Sequence, residues 1–269
     1  MNTYIADAFL LNVKDTNLFC RRYGEHGESV VLIHGACADA DFFHDTAVYL
    51  SKRYKVCTYD RRGYGRNENV REHSLETQAD DVKKLIEKTG CPCHIIAHSA
   101  GTIIAMLLAL KYPETIKSLL LYEPVASMLV KNDKAYLQAL AETEKRIENG
   151  RYMSAAIRFF SLMGEKDKRA REASEEEMEH AVQNYRCFIQ YEFHEISHTL
   201  PDIEKIKVPA VIGLGDQSLG AVREEMAREL AKKMNCEVLA FPGGHNCPYD
   251  LPKEFACMAG SILEENSLL

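Results

Sequence analysis

The stretch Cys93-His94-Ile95-Ile96-Ala97-His98-Ser99-Ala100-Gly101-Thr102-Ile103-Ile104-Ala105-Met106 decides the fold. An apolar run with the length of a buried strand stops at His98. A second apolar run, helical by its length and its Ala, Leu and Met content, starts after Gly101. Between them stands Ser99, with Ala97 and Gly101 two residues to either side. A chain that passes from strand to helix within so few residues needs strained backbone angles at the turn. It also needs tiny neighbours, because larger side chains would drive strand and helix into each other. A residue held there is exposed at the carboxyl end of its strand, beside the free N–H groups of the helix N-terminus.

This is the pattern of a nucleophile elbow, G-x-S-x-G, with Ala97 in place of the first Gly. Taken alone, Ser99 also fits a plain helix N-cap. The rest of the chain decides between the two.

Working outward, Ser29 to His34 (SVVLIH) is a continuous apolar run, predicted as a buried strand that ends in His34-Gly35-Ala36-Cys37. Two weakly alternating segments, 3–11 and 16–23, precede it as antiparallel strands joined at Lys14-Asp15. A helix over 40–53 follows, then strand 55–59 ending in Asp60-Arg61-Arg62-Gly63-Tyr64-Gly65, and a helix over 74–88 capped by Ser74. Strand 93–98 and helix 100–111 flank the elbow, and strand 118–122 ends in Glu123-Pro124. Strands alternating with helices predict a mostly parallel sheet covered on both faces.

After Pro124 the texture changes. Residues 125–200 hold no convincing strand and are rich in Lys, Glu, Arg and Ala, which predicts a helical insertion. The strand pattern resumes at 208–214. Helix 219–234, strand 236–241, Pro242-Gly243-Gly244-His245 and a last helix from Pro252 complete the chain.

At 269 residues the chain is long enough for one α/β domain with an insertion, or for two small domains. Hydrophobic residues at 46% and charged ones at 27% place it with globular domains. A net charge of −7 argues against nucleic acid or an anionic membrane as partner. No apolar stretch approaches the ~20 residues of a membrane span. Met1 to Val13 lacks the basic start and long apolar run of a signal peptide. Nine Cys, an odd number without an export signal, predict reduced thiols in a cytoplasm.

The motifs together resemble the α/β-hydrolase superfamily in its form with a helical cap, over nearly the whole chain. They are His34-Gly35 after a strand, Asp60-Arg61-Arg62-Gly63-Tyr64-Gly65, the elbow around Ser99, the returning strand ending near Gly215-Asp216, and Pro242-Gly243-Gly244-His245. The resemblance implies an α/β-hydrolase core over 1–123 and 202–269 and a cap over 124–201. In that family the triad runs Ser…Asp/Glu…His, which makes Ser99 the nucleophile and His245 the base. It also implies an oxyanion hole built from the backbone N–H groups of Ala36 and Ala100.

The acid departs from the commonest family pattern. Three residues after Gly215 stands Ser218, where an Asp is usual. Asp216 is on the right loop but two positions early. Glu123 ends the preceding strand, where some family members, including some dehalogenases, carry their acid. Glu123 is the preferred candidate and Asp216 the alternative.

Other features have plainer readings. His34 is structural, Asp60 and Arg62 organise a loop by hydrogen bonding, and His98 packs or lines a pocket. Phe42 and Phe43 are read equally as substrate-pocket walls and as core packing. Met128, Met153 and Met163 fit either a pocket lid or cap core. Ser174 to Glu179 reads as a solvated helix start. His194-Glu195-Ile196-Ser197-His198 matches H-E-x-x-H but has no third ligand at the usual spacing, so no metal is assigned.

The reading is therefore a cytoplasmic, carboxylesterase-like serine hydrolase that needs no cofactor. Its partner is a small, mainly apolar acyl substrate: an ester, thioester, amide or lactone. Two alternatives stay open: a C–C bond hydrolase or related cofactor-free chemistry, and a low-turnover ligand-binding or sensor protein.

Overall fold

A computed structural model describes residues 7–67, 73–163 and 174–267. Residues 3–6 of the expected first strand and the side chain of Met163 lie outside this description. The first strands are β1 (Asp7–Val13) and β2 (Thr16–Tyr23), an antiparallel hairpin turning at Lys14-Asp15. Then come β3 (Ser29–Ile33), α1 (His44–Leu50), β4 (Lys55–Tyr59), α2 (Leu75–Thr89), β5 (Cys93–His98), α3 (Gly101–Lys111) and β6 (Ile116–Tyr122). The stretch after β6 carries α4 (Lys134–Glu148), α5 (Tyr152–Met163), α6 (Glu175–Cys187), a π-helical turn over Phe188–Glu192 and α7 (Phe193–His198). No strand occurs there among the described residues. The chain then returns through β7 (Ala210–Gly215), α8 (Val222–Met234), β8 (Glu237–Phe241), α9 (Cys247–Asp250) and α10 (Pro252–Ser267).

The eight strands form one sheet in the order β1-β2-β4-β3-β5-β6-β7-β8. β2 runs antiparallel to β1 and β4, and every pair from β4 through β8 is parallel. The parallel strands explain their own composition. β3 and β5 are buried along their whole length, because helices cover both faces. Burying each Val, Leu or Ile of such a strand contributes about 1.5–3 kcal/mol. One face packs on α2, α3 and α8; the other on α1 and α10. α3 is buried from Gly101 to Ala109, which is why its sequence has no polar face.

The order is interrupted where β3 passes to β4 on one side and β5 lies on the other. Crevices at the carboxyl ends of strands beside such a reversal are where open α/β sheets place their ligands. His34, Asp60, Ser99, Glu123, Asp216 and the loop ending at His245 all follow strand ends on this edge. The expected helix over 40–53 differs in detail. Ala40–Phe43 is a single 3-10 turn, with the Asp39 carboxylate accepting the Asp41 N–H, and the α-helix proper spans only His44–Leu50. No helix among the described residues is long and apolar enough to cross a membrane.

Candidate active site

Ser99 takes the left-handed backbone conformation the elbow demands, with φ of 51°. Its N–H donates to the Tyr122 carbonyl at 3.0 Å, and its own carbonyl accepts from the Thr102 hydroxyl at 2.6 Å. The small neighbours are required by contact. A Cβ on Gly101 would lie 2.6 Å from the His34 carbonyl oxygen. A Cβ on Gly35 would lie 2.9 Å from the Cβ of Ser99, so the loop after β3 abuts the serine. Ala36 follows on that loop, and Ala100 forms the N-cap of α3. The loop that carries Ala36 and the start of α3 that carries Ala100 thus meet beside Ser99.

His245 closes the loop after β8. Its Nδ1 lies 2.8 Å from Glu123 Oε2. Glu123 is itself at a left-handed turn, φ of 44°, and its N–H donates to the Gly213 carbonyl. Its other oxygen, Oε1, accepts the Gly215 N–H at 3.0 Å, and Arg223 Nε stands 3.2 Å from Oε2. The Glu123 side chain is fully buried, so an imidazole, an amide and a guanidinium replace the water that would solvate its charge. Asp216 does something else. Exposed, it accepts the Gly243 N–H at 3.0 Å and so pins the histidine loop, which the Tyr122 hydroxyl also holds by donating to the Gly244 carbonyl at 2.7 Å.

His98 supports the same loop. Its Nε2 donates to the His245 carbonyl at 3.0 Å, and its ring lies 4.4 Å from the His245 ring, centroid to centroid. Burial, then the neighbouring His245, hold its pKa well below the ordinary histidine value, so it is a neutral donor. Phe42 stacks on it at 4.6 Å, and Phe43 meets Phe42 edge-on at 5.0 Å. Both phenyl rings are buried, and Phe42 lies one side-chain layer from the elbow. Met128 and Met153 are exposed.

A buried polar cluster stands behind the loop after β3. Arg61 forms a two-pronged ion pair with Glu192, Nη1 to Oε1 at 3.0 Å and Nη2 to Oε2 at 3.1 Å, and both side chains are fully buried. Gln78 donates to Glu192 Oε1 at 2.6 Å, and the Tyr64 hydroxyl donates to Oε2. Burial alone would lower the pKa of Arg61, but Glu192 and the Tyr64 and Tyr59 rings outweigh it and raise it. Arg62 faces the other way, gripping Asp81 through Nε at 2.7 Å and Nη2 at 2.9 Å, and bonding Asp15 of the β1–β2 turn. Asp60 accepts the Ala40 and Arg66 N–H groups. Asp60 and Arg62 thus organise loops, as expected from sequence.

Arg61 and Glu192 were not singled out in the sequence. The signal was there for Glu192. Phe188, Ile189, Phe193 and Ile196 form one apolar helical stripe, and Glu192 interrupts it. A carboxylate inside an apolar stripe needs a buried partner.

The H-E-x-x-H stretch does not assemble as a metalloprotease site. Glu195, half-buried, turns to the start of α2, where both its oxygens accept the Leu75 N–H. Glu144, from α4, pairs instead with the exposed His194 and His198, at 3.0 and 3.2 Å. These three side chains bring possible metal-ligating atoms within 4.8 Å of one another on the outer surface.

The sheet order, the strand-end turns and the Ser99 elbow define an α/β-hydrolase architecture. Residues 28–250 match the family described as alpha/beta hydrolase fold, and the chain belongs to that family of hydrolases. It is 29% identical over 269 residues to the Bacillus subtilis protein named uncharacterized hydrolase YraK, with 95% of each chain covered. An alpha/beta hydrolase from Sphaerobacter thermophilus superposes with a TM-score of 0.74 at 19% identity, over 95% of this chain and 100% of that one. The enol-lactonase from Burkholderia xenovorans does so at 0.72 and 20%, over 95% and 99%. At these identities the solved structures speak for the fold alone.

Proposed function

We propose that the chain is a cofactor-independent serine hydrolase acting on a small, mainly apolar ester, thioester or lactone through a Ser99–His245–Glu123 triad. The observation that carries this reading is the 2.8 Å contact between His245 Nδ1 and the buried Glu123 Oε2, on the same sheet edge as a serine at a left-handed elbow. Glu123 fixes the imidazole with its proton on Nδ1 and stabilises the imidazolium that forms. His245 Nε2 then takes the Ser99 proton as Oγ attacks the acyl carbon. The negative charge develops on the carbonyl oxygen, facing the Ala36 and Ala100 N–H groups. One such donor is worth roughly 3–4 kcal/mol in the transition state. His245 next protonates the leaving group, and later activates the water that frees the acyl chain from Ser99.

Helices α4 to α7, within 124–201, act as the lid over this edge, with Phe42 and Phe43 backing the acyl side of the pocket. A fluorophosphonate probe tests the reading: wild-type protein is labelled once, at Ser99, and Ser99→Ala is not labelled. An unlabelled wild type would overturn it.

A further inference from the structure

The buried Arg61–Glu192 pair lies beside the loop that carries Ala36, and this position has a mechanical consequence. The Gly35 carbonyl and the Ala36 N–H belong to one peptide unit. That unit is planar and trans, so its C=O and N–H point in opposite directions. Whatever fixes the Gly35 oxygen therefore aims the Ala36 N–H.

Two groups hold that oxygen. Arg61 Nη2 donates to it at 3.3 Å, and His34 Nδ1 lies at 2.8 Å. The His34 tautomer follows from its other nitrogen. Nε2 accepts the Arg61 backbone N–H at 3.0 Å, so the proton is on Nδ1 and is donated to the Gly35 carbonyl. Arg61 thus acts on this peptide twice, through its guanidinium and, by way of the His34 tautomer, through its own amide. Hydrogen bonds accepted by a carbonyl also polarise the amide and strengthen its N–H as a donor. The guanidinium is in turn held by Glu192, on the π-helical turn between α6 and α7, a kind of turn often found at functional sites. Glu195, three residues further on, grips the start of α2 and ties the same segment to the core.

We propose that Arg61 and Glu192 are positioning residues for the oxyanion hole: Glu192 of the segment between β6 and β7 seats Arg61 against the Gly35 carbonyl and so aligns the Ala36 N–H for the transition state. This rests on the serine-hydrolase reading above. The hole is then complete only when that segment is seated on the core.

The test compares wild type, Arg61→Met, Glu192→Gln and the Arg61→Met/Glu192→Gln double variant, on p-nitrophenyl butyrate, with rates expressed per serine titrated by fluorophosphonate. A single variant leaves an unpaired buried charge and loses stability, whereas the double variant leaves none. If the pair served stability alone, the double variant would recover kcat together with its melting temperature. The inference expects otherwise. Arg61→Met and the double variant show kcat lowered about 10- to 100-fold with KM within about threefold, and Glu192→Gln shows a smaller fall in the same direction. A trifluoromethyl ketone, which forms an oxyanion on Ser99, binds more weakly by a similar factor.

A folded double variant with wild-type kcat overturns the inference while leaving the hydrolase reading intact. A wild type that is neither labelled nor active overturns both.

Discussion

Glu123 Oε2 lies 2.8 Å from His245 Nδ1, although 122 residues separate them, and Asp216 instead holds the Gly243 N–H. The two carboxylates therefore predict different losses. Glu123→Gln keeps size and hydrogen bonding but removes the charge that fixes the His245 tautomer. Its kcat falls by about 10⁴, the scale seen for a triad acid. Asp216→Asn still offers an oxygen to Gly243 and loses about tenfold or less. Steady-state kinetics of both variants on one p-nitrophenyl ester decide the assignment, and equal losses would sink it.

The strained elbow makes a prediction about stability. Ser99 has φ of 51°, where an ordinary side chain costs roughly 1–2 kcal/mol and glycine nothing. Ser99→Gly is therefore inactive yet more stable than wild type by about 1 kcal/mol. Ser99→Ala keeps the strain and gains nothing comparable. Urea unfolding of the three proteins measures the difference, and a less stable Ser99→Gly would contradict the strain argument.

How much of this was legible beforehand depends on the range of the forces involved. Strand β5 spans the expected residues because continuous burial writes itself locally as an unbroken apolar run. The elbow was legible because a steric demand acts within two residues of Ser99. The start of α1 was not, since the apolar pattern over 40–53 cannot distinguish a 3-10 turn from an α-turn. The choice between Glu123 and Asp216 depends on where two loops converge across the sheet edge, and one-dimensional spacing carries no such information. Adjacent arginines pose the same problem: Arg61 and Arg62 are alike in sequence, and only the fold sends one to Glu192 and the other to Asp81.

Metal removal should not affect turnover. A metalloprotease built on H-E-x-x-H needs its glutamate beside the metal-bound water, whereas Glu195 is bonded to the Leu75 N–H. Activity on the ester should stay within about twofold after EDTA treatment, and in the His194→Ala/His198→Ala variant. Glu195→Ala should remove the acceptor at the start of α2, costing about 1 kcal/mol of stability. A large drop in kcat after EDTA treatment or in the His194→Ala/His198→Ala variant would assign the exposed cluster a part in the reaction.

The buried histidines set the acid sensitivity. Burial, with Arg61 next, pushes the pKa of His34 well below 6.5, and burial, with His245 next, does the same to His98. Proton counting gives the sign. Just below pH 6.5 the unfolded chain protonates both rings while the folded protein protonates neither, so the unfolded state binds more protons and stability falls as the pH falls. Their contribution is fully present above pH 6.5 and is lost progressively as the pH drops toward their folded-state pKa values. Each ring adds a slope of at most about 1.4 kcal/mol per pH unit in that window. His98→Gln can keep a donor toward the His245 carbonyl without a titrating ring. Urea unfolding between pH 7 and 5.5 should show wild-type stability declining and the His98→Gln curve flatter by about one such slope. An equal slope in the two proteins would mean that His98 is protonated in the folded state, against its burial between Phe42 and His245.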